Sequence, residues 1–120
     1  MDAPAKHCTL CGVLAAHAHH LTGRGPDHQQ LHPDLTVDVC RSHHVLLHND
    51  LRQQGIDVAP PGVWTVTGRI EHILRRIAAF IARYGQVADS PVWSKIAALL
   101  ESVADEVGYI DLDLHPEIAP

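Results

Sequence analysis

Cys40-Arg41-Ser42-His43-His44-Val45-Leu46-Leu47-His48 places one cysteine and three histidines within nine residues. From Arg41 to Gln54 there is no Pro or Gly, and Val45, Leu47, His48 and Leu51 fit a helix that Gly55 closes. Side chains four apart share one helical face, so His44 and His48 project together. Cys40 and His43 are separated by two residues, and Cys8-Thr9-Leu10-Cys11 repeats that spacing near the N-terminus. Each pair forms a turn that presents two ligands to one ion, giving the four-coordinate site that structural zinc prefers. The two pairs use all three cysteines. An odd count argues against a closed disulfide framework and fits a metal site completed by histidine. Zn²⁺ at Cys8, Cys11, Cys40 and His43 is therefore expected, against the alternative of three free or buried thiols.

Ahead of this helix, Leu35-Thr36-Val37-Asp38-Val39 alternates apolar and polar side chains with β-branched types, which predicts a short strand. Ala16 to Leu21 predicts another. Thr22 to Pro33, with Gly23, Gly25, Pro26 and Pro33, reads as a loop. His19 and His20 are adjacent on the first strand and so point to opposite faces. One of them can join His44 and His48 around a metal while the other stays off the ion as a free imidazole. Three protein ligands leave positions for water or a phosphate oxygen, as a catalytic metal requires. A free imidazole, with an ordinary pKa of ~6.5, is a suitable general base at cytoplasmic pH.

The chain has 120 residues and a mass of 13.1 kDa, which supports a single small domain. Hydrophobic residues at 46% against 19% charged mark a folding sequence, and 4% aromatic content leaves the core to aliphatic side chains. No apolar run approaches the ~20 residues of a membrane span, and no signal-peptide pattern opens the chain, so a cytoplasmic protein is expected. Nine of the eleven histidines fall within the first 48 residues. The net charge of −5 is uneven: residues 85–120 hold one Lys and seven Asp/Glu, whereas residues 55–84 hold four Arg and two acids. This is not a uniformly basic nucleic-acid binder, so any DNA contact requires segregated charge, with bound metal adding positive charge.

Beyond Gly55, residues 56–63 contain Pro60-Pro61-Gly62, a stiff connector. Ile70, Ile73, Leu74, Ile77, Ile81 and Tyr84 then recur at helical spacing up to Gly85, with Arg69, Arg76 and Arg83 on the opposite face. A second helix is expected from Ser90 as N-cap and Pro91, with its stripe of Trp93, Ile96, Leu100, Val103 and Val107 ending at Gly108. Residues 64–108 thus form an amphipathic hairpin that packs on the N-terminal module (1–55) or makes an interface, and 109–120 are expected as an irregular acidic tail.

Across Lys6 to Arg52, the knuckle Cys8-x2-Cys11, the pair His19-His20, Cys40-x2-His43-His44 and His48 follow the order of motifs in the HNH endonuclease family, which the sequence resembles. The resemblance implies an α+β protein with a ββα-metal core and a structural zinc knuckle. It implies His20 as general base, and His19, His44 and His48 as ligands of a catalytic divalent ion such as Mg²⁺, Mn²⁺, Ni²⁺ or Zn²⁺. The activity implied is metal-dependent hydrolysis of DNA phosphodiester bonds in bacteria or phage-infected cells, in some relatives beside a phage packaging protein. The family's middle Asn is missing: Leu35 lies near its position, and Asp34 is the neighbour able to support the loop. Arg24, in Gly23-Arg24-Gly25, reads either as a contact to a phosphate of the DNA or as a solvated loop residue.

Two other function classes fit the same residues. One is a non-catalytic zinc-binding module contacting DNA or a protein, which the absent Asn favours; the other is an interaction subunit that dimerises or docks through its C-terminal helices. Retention of His19, His20, His44 and His48 favours the enzyme. His7, His17, His28, His32 and His72 are expected at the surface, and Arg69, Arg75, Arg76 and Arg83 on a solvated face.

Overall fold

The computed structural model describes residues 6–24, 30–58 and 65–114. Strand β1 (His17–His20) pairs antiparallel with β2 (Thr36–Val39), with His17 opposite Val39 and His19 opposite Val37. Helices α1 (Arg41–Gln53), α2 (Val66–Ala88) and α3 (Pro91–Leu114) follow. The chain is thus α+β, with a two-stranded sheet and three helices among the described residues. His28, the Pro60-Pro61-Gly62 connector and residues 115–120 lie outside them. No described helix is long and apolar enough to cross a membrane.

The knuckle is a turn closed by hydrogen bonds from the Cys8 N–H to the Val13 carbonyl (2.7 Å) and from the Gly12 N–H to the Cys8 carbonyl (2.8 Å). Gly12 supplies the left-handed backbone this turn needs, at φ +81°. Thr9 fastens it to β2 by donating both its N–H (2.8 Å) and its hydroxyl (3.0 Å) to the Asp38 carbonyl. Cys40 then starts α1 as its N-cap, its sulfur accepting from the His43 N–H at 3.5 Å. At the other end, Ile56 N–H bonds the Leu51 carbonyl (2.9 Å) and Gly55 N–H bonds the Arg52 carbonyl (3.0 Å). With Gly55 at φ +72° and Leu51 clustered with Ile56, this is a Schellman cap.

Buried Cys8, Leu10, Val39 and Leu47 form the core, and Phe80 and Tyr84 of α2 pack against it. A second cluster joins Leu51 and Ile56 to Ala79 of α2. Helix α2 therefore covers the N-terminal module, while its other side packs along α3. Tyr84 meets Trp93 edge-to-face, ring centres 5.1 Å apart. Arg75 spans the two helices, bonding Glu71 (3.0 Å), Glu101 (2.9 Å) and Asp105 (2.8 Å).

Four sequence expectations are corrected. Gly85 and Gly108 do not end their helices; α2 runs to Ala88 and α3 to Leu114, so 109–114 are helical rather than an irregular tail. Both glycines lie where a neighbour leaves little room: a Cβ on Gly85 would stand 2.8 Å from the Trp93 Cβ, and one on Gly108 3.1 Å from a Glu71 carboxylate oxygen. The turn between the helices is made instead by Asp89 in the left-handed region, φ 52° and ψ 45°. His72 is buried, not a surface residue. Burial, and after it the positive charge of Arg76, lowers its pKa from 6.5 to about 4, so it is neutral. Of the helix α2 arginines, only Arg69 is exposed. Arg83 forms a two-pronged bond to Asp50 of α1 (2.9 and 2.7 Å), and Arg76 is 3% exposed. An arginine face reads as solvated only when no acid or carbonyl waits opposite it.

Candidate metal centres

Cys8, Cys11, Cys40 and His43 converge, with all ligand atoms within 4.8 Å of one another. The Cys11 and Cys40 sulfurs are 3.8 Å apart, and His43 Nδ1 is 3.3 Å from the Cys40 sulfur and 3.6 Å from that of Cys8. Ligands at tetrahedral corners around zinc stand ~3.8 Å apart for two sulfurs and ~3.5 Å for sulfur and nitrogen. The donor set and its spacing fit that ion. Burial pushes the Cys8 thiol up, but backbone N–H groups of Cys40, Leu10 and Cys11 outweigh it and bring the pKa from 9.0 to about 6. For Cys11, the Val13 N–H lowers the pKa, but desolvation and the neighbouring sulfurs of Cys8 and Cys40 raise it further. Sulfurs this close resist sharing negative charge unless a cation sits among them.

The second cluster is His19, His44 and His48. Pairing with β2 turns His19 inward, where it is 2% exposed, and α1 presents His44 and His48 from the facing side. Their Nε2 atoms lie 3.1 Å apart, against ~3.3 Å for two nitrogens at tetrahedral corners of a metal and ~2.9 Å at octahedral ones. Asp57, just past α1, sits 2.6 Å from His48 Nδ1. A carboxylate at that distance keeps the proton on Nδ1 and leaves the Nε2 lone pair facing the cluster, as in carboxylate–histidine–metal triads. Arg52 donates to the other Asp57 oxygen at 3.3 Å. Burial, followed by the charges of His48, Arg76 and His44, lowers the His19 pKa from 6.5 to about 3. Burial and then His48 also lower that of His44. The rings therefore keep their lone pairs instead of taking protons, and His19 Nδ1 is buried without a hydrogen bond among the described residues. Three converging imidazoles with an orphaned nitrogen fit a divalent transition metal.

His20, the next residue on β1, is outside both clusters and half-buried. Its backbone is pinned from α2: Arg76 donates to the carbonyls of His20 (3.1 Å), Leu21 (3.3 Å), Ile56 (3.0 Å) and Asp57 (3.2 Å). One buried guanidinium thus ties the strand bearing His19 and His20 to the loop bearing Asp57. Gly23, at φ +69°, allows the approach, since a Cβ there would stand 2.7 Å from the guanidinium carbon. Gln30 lies beside the ring, its side-chain amide nitrogen 3.3 Å from His20 Nε2.

Among the other sequence-named residues, Arg24 is exposed and bridges Gln30 through its backbone. Asp34 is exposed in the turn before β2, where its backbone carbonyl accepts from the Thr36 N–H at 3.2 Å. His17 is exposed, and its ring centre lies 5.1 Å from that of His44. The sequence reading misses Asp57 and Gln30 and puts Arg76 on a solvated face, because none belongs to a spaced motif. Only the separation of Asp57 from His48, nine residues across a helix end, offered a signal. Comparison of the chain with protein-family models, curated proteins and solved structures yields no match.

Proposed function

We propose that the chain is a metal-dependent DNA endonuclease of the HNH type, built on a ββα-metal core with a structural Zn²⁺ at the Cys8, Cys11, Cys40 and His43 centre. The observation that carries this proposal is the meeting of His19, His44 and His48 around one point while His20, their neighbour on β1, stays outside the ligand set. A non-catalytic zinc module needs the cysteine centre but has no use for a second, three-ligand one.

His19, His44 and His48 would hold a divalent ion, which would supply positive charge to the scissile phosphate. His20 takes a proton from water, whose oxygen bonds to phosphorus as the bond to the 3′ oxygen breaks. The 3′ oxygen keeps the electron pair and collects a proton from solvent. Arg76 holds the His20 carbonyl, so the base is set on a fixed backbone. Asp57 keeps the His48 ring turned to its partners.

Plasmid nicking with Mg²⁺, Mn²⁺, Ni²⁺ or Zn²⁺ tests the proposal. His20→Ala is expected to lose ~10²–10⁴-fold in rate while binding the same number of ions. Cleavage by His20→Ala at the wild-type rate removes His20 as the base. Wild-type protein that binds DNA but cuts it with none of these ions leaves the non-catalytic module, the alternative that Leu35 in place of the family Asn favours.

A further inference from the structure

Where α2 and α3 touch, small residues make the seam: Gly85 lies against Trp93, and Ala97 and Ala104 of α3 are buried. Arg75, bonded to Glu101 and Asp105, closes one edge of that seam. The opposite edge is aliphatic and open. On α2 it carries Ile70, Leu74, Ile77 and Ile81, none of them buried. On α3, Val92, Leu99, Val103 and Ile110 fall within about 40° of one another around the helix axis. They are between 41% and 64% exposed, and half-buried Ile96 and Val107 lie between them and the seam. Scattered surface aliphatics need no partner, but a row running about five turns along one helix marks an interaction site.

We propose that two copies of the chain pair through this row, their α3 helices antiparallel about a two-fold axis at position 101. The row is spaced by seven, four and seven residues, so it reads alike from either end. In the antiparallel register Val92 meets Ile110 of the second copy, and Leu99 meets its Val103. Spacing by sevens and fours is that of a coiled-coil seam. A two-fold interface must be complementary to itself, a demand that a foreign partner does not place on the row. Charge agrees with the direction. Lys95 and Glu106 are exposed along the same flank of the row, and the antiparallel register sets each Lys95 beside the Glu106 of the other copy. A parallel pair would set Lys95 on Lys95 and Glu106 on Glu106, which repel. Glu101 and Asp105, held by Arg75 at the far edge of the seam, are turned away from the contact. The pairing stands apart from the nuclease proposal. If both hold, the dimer carries two three-histidine clusters, one for each strand of a duplex.

Sedimentation equilibrium of the metal-loaded full chain reads the mass directly, and twice 13.1 kDa is expected in the micromolar range. Leu99→Glu and Val103→Glu change side chains that are exposed in the single chain, so the dispersed amide spectrum should survive. Each should raise the dissociation constant at least about 100-fold, because the dimer would bury two unpaired carboxylates. Lys95→Glu sets carboxylates side by side and should weaken the dimer about 5- to 30-fold. Adding Glu106→Lys to it should restore association. In a parallel pair Lys95→Glu would only exchange one repulsion for another. A chain that stays monomeric throughout the micromolar range overturns the proposal and leaves the row to a different protein. A dimer indifferent to both Leu99→Glu and Val103→Glu uses another face and overturns it as well. A charge exchange that fails to restore association overturns the antiparallel register.

Discussion

Asp57 acts on the three-histidine centre without belonging to it. At 2.6 Å from His48 Nδ1 it sets which nitrogen of that ring is bare, and the Asp57 backbone carbonyl is one of those held by Arg76. Asp57→Asn removes the charge but keeps an acceptor, so the ring keeps its direction and loses basicity. Outer ligand partners of this kind are worth roughly 10- to 100-fold in metal affinity. Titration of the second ion against a competing chelator should show a loss in that range, while the cysteine-centre absorption of a cobalt-substituted sample stays unchanged. Equal affinity in Asp57→Asn would mean that His48 needs no such partner. At this scale the ligands were legible in the sequence because thiols and imidazoles at fixed spacing are rare. Their supports were not: an aspartate and an arginine become specific only when the fold brings them beside a histidine.

Helix α2 decides how the pieces meet, and the two internal glycines of the hairpin separate packing from propensity. Alanine is the better helix former by about 1 kcal/mol, so on propensity alone both substitutions should stabilise. At Gly85, the Cβ of Ala would press on the Trp93 Cβ at 2.8 Å and on the Ser94 backbone nitrogen at 3.3 Å, neither of which can move without shifting α3. Gly85→Ala is expected to cost about 1–3 kcal/mol. At Gly108 the nearest atoms belong to the flexible end of Glu71, so Gly108→Ala should be neutral or stabilising by up to about 1 kcal/mol. Thermal melts of the metal-loaded proteins compare the two, and a stabilising Gly85→Ala would refute the close-packed seam. The apolar stripes of both helices were legible from their period, but their ends were not. Glycine reads as a stop in a sequence, whereas these two serve close approach, and Asp89 in a left-handed conformation carries no warning in its identity.

At the scale of the molecule, the buried core among the described residues is small, and much of it lines the knuckle: Cys8, Leu10, Val39 and Leu47, capped by Phe80 and Tyr84. A core of this size would gain folding free energy from an ion at the cysteine cluster. Stripping the cysteine-centre ion with a strong chelator is expected to collapse the dispersed amide signals of β1 and β2 and to lower the thermal midpoint, with recovery on adding zinc. An unchanged midpoint in metal-free protein would mean that the aliphatic core suffices alone. The order of elements was legible: knuckle, two strands, helix, then a helical hairpin. The seat of the hairpin was not, because it depends on Arg76 reaching four carbonyls from two separate stretches of chain, residues 20–21 and 56–57.

His43 and His44 are consecutive in the first turn of α1, yet one looks toward the thiols and the other toward the imidazoles. The sulfur of Cys40 starts that turn, so whatever organises the thiols also determines where His44 is aimed. Under the two-ion reading proposed above, filling of the clusters is therefore expected to be ordered, the cysteine cluster before the histidine one, so that starving the first is expected to leave the second without a shape to fill.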